Sequence, residues 1–194
     1  MRPDAPPADF HREVAGTFTA VVDGVAPQAW DAPSPVAGWT ARDVVGHLTT
    51  WFPAMLAGSG GPDLPPGPSA DDDPAGAWNH QRDAVQALLD DPASADLSLS
   101  NPNVGEVPLP QAISQFYVGD VFMHTWDLAR ATGQEPGLDP ELAEAMLDGM
   151  APMEDVLRSS GQYGPAVPVP EDASAQDRLV GFIGRDPGWE PPAR

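Results

Sequence analysis

The chain has 194 residues, the length of one domain with a substantial core. Its nine basic residues, all arginine, stand against 29 acidic ones for a formal net charge of -20, which speaks against a nucleic-acid backbone or an anionic membrane as partner, because both need clustered cations. Cysteine is absent, which excludes disulfides, thiolate metal sites and a cysteine nucleophile, so any thiol chemistry needs a small-molecule thiol. No stretch approaches a membrane span and Met1 to Phe10 lacks a signal-peptide pattern, so the cytoplasm is the expected compartment.

Phe10, Val14, Phe18, Val21, Val22 and Val25 recur at helical spacing, and Gly24 with Pro27 ends the stripe, which predicts a first helix. His11, near its start, reads as a solvated or capping histidine. A loop from Gln28 to Gly38 follows, restricted by Pro33 and Pro35 and pinned by Trp30. Thr40 is an N-cap, Asp43 completes a capping box, and Trp39 with Val44 takes the positions of a hydrophobic staple. The second helix then turns Val44, Val45, His47, Leu48, Trp51, Phe52 and Met55 inward, and Pro53 is expected to kink it or loosen its last turns.

Ala57 to Pro74 is a surface connection rich in glycine, proline and aspartate. Asp73-Pro74 is a cap followed by a first-turn proline, opening a third helix through Trp78, Val85, Leu88 and Leu89; His80 falls off that apolar line and reads as partly exposed. Alternation at Leu97-Ser98-Leu99 and Val107-Pro108-Leu109 predicts a short hairpin or an extended crossover. A fourth helix runs from about Gln111 to Thr132, stopped by Gly133. Asp139-Pro140 opens another, with Leu142, Met146, Met150, Val156 and Leu157 along it and Gly149 and Pro152 bending or dividing it. Its methionines read as core filler. Ser174 and Asp177 form a further capping-box signal before Leu179, Val180, Phe182 and Ile183, closed by Gly184, and Pro187 to Arg194 reads as a tail. The expected fold is all-α: a four-helix bundle with additional C-terminal helices and a short hairpin.

The fourth helix carries the chemistry. Asp120 and His124 share the buried face defined by Ile113, Phe116, Tyr117, Val121 and Leu128. Turning a carboxylate and an imidazole toward a core costs several kcal/mol unless they find partners. Two readings compete: His124 bonds Asp120 one turn away or a backbone carbonyl, or both groups bind a divalent cation. His47, on the inward face of the second helix, favours the cation, since His, His and carboxylate with an open fourth position is the pattern of a reactive site, most often zinc. A ligand set with Asp43 competes, but Asp43 has a capping role at its helix start. Asp127 and Arg130 either pair locally or orient a ligating imidazole.

At Trp39-Thr40-Ala41-Arg42-Asp43-Val44-Val45-Gly46-His47-Leu48 and from Asp120 to Gly133 the chain resembles the DinB-like superfamily, in the branch related to the N-terminal domain of mycothiol-dependent maleylpyruvate isomerase. Gly164-Pro165-Ala166-Val167-Pro168-Val169-Pro170 and Ala175-Gln176-Asp177-Arg178-Leu179 reinforce the match. The resemblance implies a four-helix bundle with a divalent metal, zinc or nickel, held by His47, Asp120 and His124, and suggests a homodimer. Aspartate stands where the isomerase has glutamate, one methylene longer, which bears on geometry and metal identity. The isomerase's second, C-terminal domain is expected to be absent, so low-molecular-weight thiol chemistry is implied but maleylpyruvate is not. The expected activity is a metal- and mycothiol-dependent transferase or isomerase acting on an electrophile the residues do not identify; a metal-dependent hydrolase and a non-catalytic binding bundle are the alternatives.

Overall fold

The computed structural model describes residues 5–101, 105–159 and 161–192. Helix α1 (Pro7–Asp23) starts on a first-turn proline and buries Phe10, Val14, Phe18, Val21 and Val22 along one face. Helix α2 (Ala41–Gly58) opens with the complete capping box of Thr40 and Asp43. Helix α3 (Pro74–Asp90) is capped by Asp73, whose side chain accepts from the Gly76 N–H. Strands β1 (Ser98–Asn101) and β2 (Gly105–Pro108) pair antiparallel with Leu99 opposite Val107, which makes the expected hairpin real; its residues 102–104 lie outside the described ones.

One continuous helical rod follows. A single turn, α4 (Leu109–Ala112), passes into a π-helical segment, Ile113–Val118, and then into α5 (Gly119–Thr132), which Gly133 stops in the left-handed conformation at φ 71°. The rod thus begins before Gln111, and the π turn departs from the regular spacing that the sequence pattern assumes. Helix α1 packs on α3 and α5, and α2 packs on the same two, so α1 and α2 sit diagonally across a four-helix bundle. Phe18 meets Trp78 in its middle with ring centroids 4.4 Å apart, and the Trp78 indole N–H donates to Thr19 Oγ1 at 2.9 Å. Both rings are fully buried, each contributing about 2–3 kcal/mol by area.

Helix α6 (Pro140–Met150), capped by Asp139, is divided from α7 (Glu154–Ser159) by a 3₁₀ turn, Ala151–Met153, as Gly149 and Pro152 led one to expect. Val156 nevertheless points outward, 68% exposed. Helix α8 (Ala175–Phe182) packs on α6 and carries the Ser174 cap. The proline-rich segment before it lies directly on α8: Val167 N–H donates to Gly181 O at 2.9 Å, and a Cβ at residue 181 would stand 2.8 Å from Val167 O, so only glycine permits the approach.

Helix α2 continues through Pro53 to Gly58. Two expectations need correction. The segment after Pro187 is not a free tail: Trp189 packs against the core, and Arg130 donates to its carbonyl at 2.7 Å. His11 is neither solvated nor a cap. It is 1% exposed and its Nδ1 lies 2.8 Å from Gln86 Oε1, because α3 folds over that face of α1.

Burial is the dominant influence on His11 and lowers its pKa below the ordinary 6.5, against the opposing hydrogen bond of Gln86. Its unfolded state therefore binds a proton more readily than the native state, and the stabilisation is complete above about pH 6.5 and lost as pH falls through the lower native value. Urea denaturation from pH 7.5 to 5 should show His11→Gln losing less stability over that interval than the unsubstituted protein. Equal losses in both proteins would contradict this account.

Candidate metal centre

His47 projects from the second turn of α2, fixed in phase by the capping box that starts the helix. Asp120 and His124 lie one turn apart on α5, directly after the π segment. The bundle brings the three together: His47 Nε2 is 3.0 Å from Asp120 Oδ2, and His124 Nε2 is 3.5 Å from Asp120 Oδ1. One ligand atom from each residue lies within 4.8 Å of the other two, the kind of group among the described residues that could hold a metal ion. Tetrahedral bonds of about 2.0–2.1 Å put ligand atoms roughly 3.3 Å apart, so the donors need only small movements to accept zinc or a similar ion.

His124 is set by what stands behind it. Its Nδ1 lies 2.8 Å from Asp127 Oδ2, which directs Nε2 toward Asp120 and His47. Asp127 is fully buried, and Arg185 clamps both its oxygens, Nε to Oδ1 at 3.1 Å and a terminal nitrogen to Oδ2 at 3.3 Å. Burial disfavours the ionised carboxylate, but the hydrogen bond and charge of His124 and the Arg185 guanidinium together hold its pKa below the ordinary aspartate value. For His124, burial likewise works against the charged ring; Asp120 and Asp127 outweigh it and raise its pKa.

Arg185 arrives from the far end of the sequence by a specific route. Gly184 takes φ 88° after α8, and Arg185 N–H returns to Val180 O at 2.8 Å, which turns the side chain back onto α5. Nothing local in the sequence marks this residue. Arg130, the cation nearest Asp127 in sequence, instead stands over the Trp126 ring and binds the Trp189 carbonyl.

Aromatic rings wall the cluster. Trp39 lies with its ring centroid 5.1 Å from His47 and 5.8 Å from His124, so the residue read as half of a hydrophobic staple covers the two imidazoles. Trp51 stacks on His47 at 6.0 Å. A cleft of about 740 Å³ reaches His47 between Trp39, Thr50, the 67–71 loop, His80 and Gln81. Arg42 holds that loop by donating to the Ala70 and Asp71 carbonyls at 3.0 and 2.6 Å, and it also binds Asp31. His80 binds Pro65 O at 2.9 Å and so closes the same connection onto α3. Asp43 is committed elsewhere: its Oδ2 accepts from Thr40 N–H and from Thr40 Oγ1, both at 2.7 Å, and these bonds lower its pKa.

Fold and site together define a DinB-like helical bundle with a His, Asp and His cluster whose His47 lines a cleft. The chain belongs to the mycothiol maleylpyruvate isomerase N-terminal domain family, whose model matches residues 11–129, and that family is metal-binding and mycothiol-related. Two proteins of Mycobacterium tuberculosis are similar to it: uncharacterized protein MT0763 of strain CDC 1551 / Oshkosh and uncharacterized protein Rv0738 of strain ATCC 25618 / H37Rv. Each is 28% identical over 185 residues, covering 92% of this chain and 97% of its own. No solved structure matches. Arg185 lies beyond the matched residues, yet it completes the support of His124.

Removing Arg185 would leave Asp127 buried with His124 as its remaining charged partner. Arg185→Met is therefore expected to cost about 3 kcal/mol in urea denaturation, and Asp127→Asn added to it should recover part of that loss, because no unpaired charge then stays buried. A loss in the double variant equal to the sum of the two single losses would show that the pair is not coupled.

Proposed function

We propose that His47, Asp120 and His124 hold a divalent metal ion, zinc in the first instance and nickel as the alternative, and that the chain is a mycothiol-dependent transferase or isomerase. The observation that carries this is the convergence of three donors from two helices beside an open cleft, with the outer nitrogen of His124 already engaged by Asp127. Membership of a mycothiol-related family supports a small thiol as the partner. The absence of cysteine is consistent with it, since a thiol nucleophile must then come from outside the chain. A divalent ion bound by such ligands lowers the pKa of a thiol or water at its remaining position.

The protein's own residues do the rest. Asp127 and Arg185 fix the His124 ring, so that its Nε2 lone pair is presented without a reorientation cost at binding. Trp39 and Trp51 exclude water from two sides of His47, which strengthens every electrostatic interaction inside. Arg42 holds the 67–71 wall of the cleft in place while a cosubstrate and an electrophile enter.

Metal analysis of the purified protein should find about one divalent ion per chain, the occupancy expected of a three-ligand site. His47→Ala and Asp120→Ala should lose most of it, and Asp127→Asn should bind about 10–100-fold more weakly. Full metal content in both alanine variants would remove the ligand assignment. Product analysis with an electrophile, with and without mycothiol, separates the activities: a product that incorporates or requires the thiol supports the transferase or isomerase, a product formed equally without it indicates hydrolysis, and no turnover indicates a binding bundle.

A further inference from the structure

Beside the His, Asp and His cluster the bundle encloses polar atoms that the described residues leave unsatisfied. The Tyr117 hydroxyl, the Gln81 side-chain nitrogen and the Trp51 indole nitrogen are all buried without a hydrogen-bond partner. They belong to three different helical elements, the π segment, α3 and α2. Tyr117 is their hub: its ring centroid is 6.2 Å from that of Trp51, and the Gln81 amide acts on its hydroxyl. Leaving one such group unpaired costs about 1–3 kcal/mol, and three together call for an occupant.

The chemistry of the occupant follows from the atoms. An indole N–H and an amide NH₂ only donate, and a fully buried phenol remains a neutral O–H that donates as well. All three donors are uncharged. Nearby arginines are engaged, Arg42 with Asp31 and the 70–71 carbonyls and Arg82 with Asp83 and Asn79. The Asp120 carboxylate also acts on Tyr117. Neutral donors beside a carboxylate suit an uncharged acceptor, a carbonyl oxygen, better than a second anion.

Position links these three groups to the cluster. Gln81 and His47 line the same cleft, Trp51 stacks on His47 and meets the Tyr117 ring at a tilt of 48°, and Tyr117 precedes Asp120 by three residues. We infer that Gln81, Tyr117 and Trp51 form an inner subsite that receives the carbonyl oxygen of a ligand whose reacting end sits at His47, Asp120 and His124. This deepens the proposed function and rests on it for the second half of that statement. The carbonyl belongs either to the thiol, as an amide, or to the electrophile.

Two probes keep the subsite and the metal reading separable. The first is acetamide, added to metal-free, ¹⁵N-labelled protein while the indole N–H signal assigned through Trp51→Phe is followed. A saturable shift of that signal, weakened about tenfold in Gln81→Met and in Tyr117→Phe, supports the subsite. Absence of any shift, or a shift unchanged in both variants, overturns it and shows a pocket satisfied by water alone. Far-ultraviolet circular dichroism checks that the variants fold.

The second probe compares N-acetylcysteamine with 1-propanethiol on the cobalt-substituted protein by its thiolate absorption. A preference for N-acetylcysteamine of about tenfold that disappears in Gln81→Met, with 1-propanethiol binding unchanged, assigns the carbonyl to the thiol. Equal binding of both thiols, with acetamide still shifting Trp51 beside bound 1-propanethiol, assigns it to the electrophile. If neither thiol perturbs the cobalt spectrum while acetamide binds, the thiol reading falls and the subsite stands.

Discussion

A carboxylate with no exposure to solvent, Asp127, is held ionised between a histidine on its own helix and an arginine from the C-terminal segment. Stripping such a charge of water costs several kcal/mol, and only good geometry on both sides offsets it. That requirement couples parts of the chain distant in sequence: α5 must present Asp127 and His124 together, and the turn after α8 must deliver Arg185. The orientation of His124 toward Asp120 and His47 follows from the same constraint. The additional C-terminal helices are therefore tied to the cleft end of the bundle as well as to its packing.

The π segment has a comparable local role. A wider turn shifts the phase of the residues after it relative to those before it, and such turns recur at functional sites. Here it separates the hairpin-led start of the rod from α5 and carries Tyr117 one turn ahead of Asp120. Tyr117 is consequently a fully buried member of the core with an unsatisfied hydroxyl, close to Gln81 across the bundle. Aromatic neighbours set the boundary between the dry core and the cleft: Phe52 stacks on Tyr117 at 4.5 Å, while Trp51, the preceding residue of α2, faces His47.

Much of this was legible in the residues. The caps at Thr40, Asp73, Asp139 and Ser174 each accept the expected backbone N–H, because capping depends on a few neighbouring atoms. The apolar stripes of α1, α2 and α5 became the bundle core for the same local reason. Readings that depended on what lies opposite fared worse. His11 looked like a surface residue on its own helix and was covered by α3; Val156 continued an apolar line and faces solvent because the chain turns before it.

The sequence by itself determined the helices, their ends, the acidic cysteine-free character of the chain and the presence of His47, Asp120 and His124 on inward faces, since periodicity and capping operate within a few residues. Tertiary structure alone decided that the ligand atoms of those three approach within 4.8 Å, that Arg185 reaches Asp127 and that polar atoms of Tyr117, Gln81 and Trp51 are buried unpaired. The physical reason is that each of these outcomes depends on how helices pack and where a left-handed glycine redirects the chain. Side chains far apart in sequence meet only once the core has fixed the relative positions of whole helices.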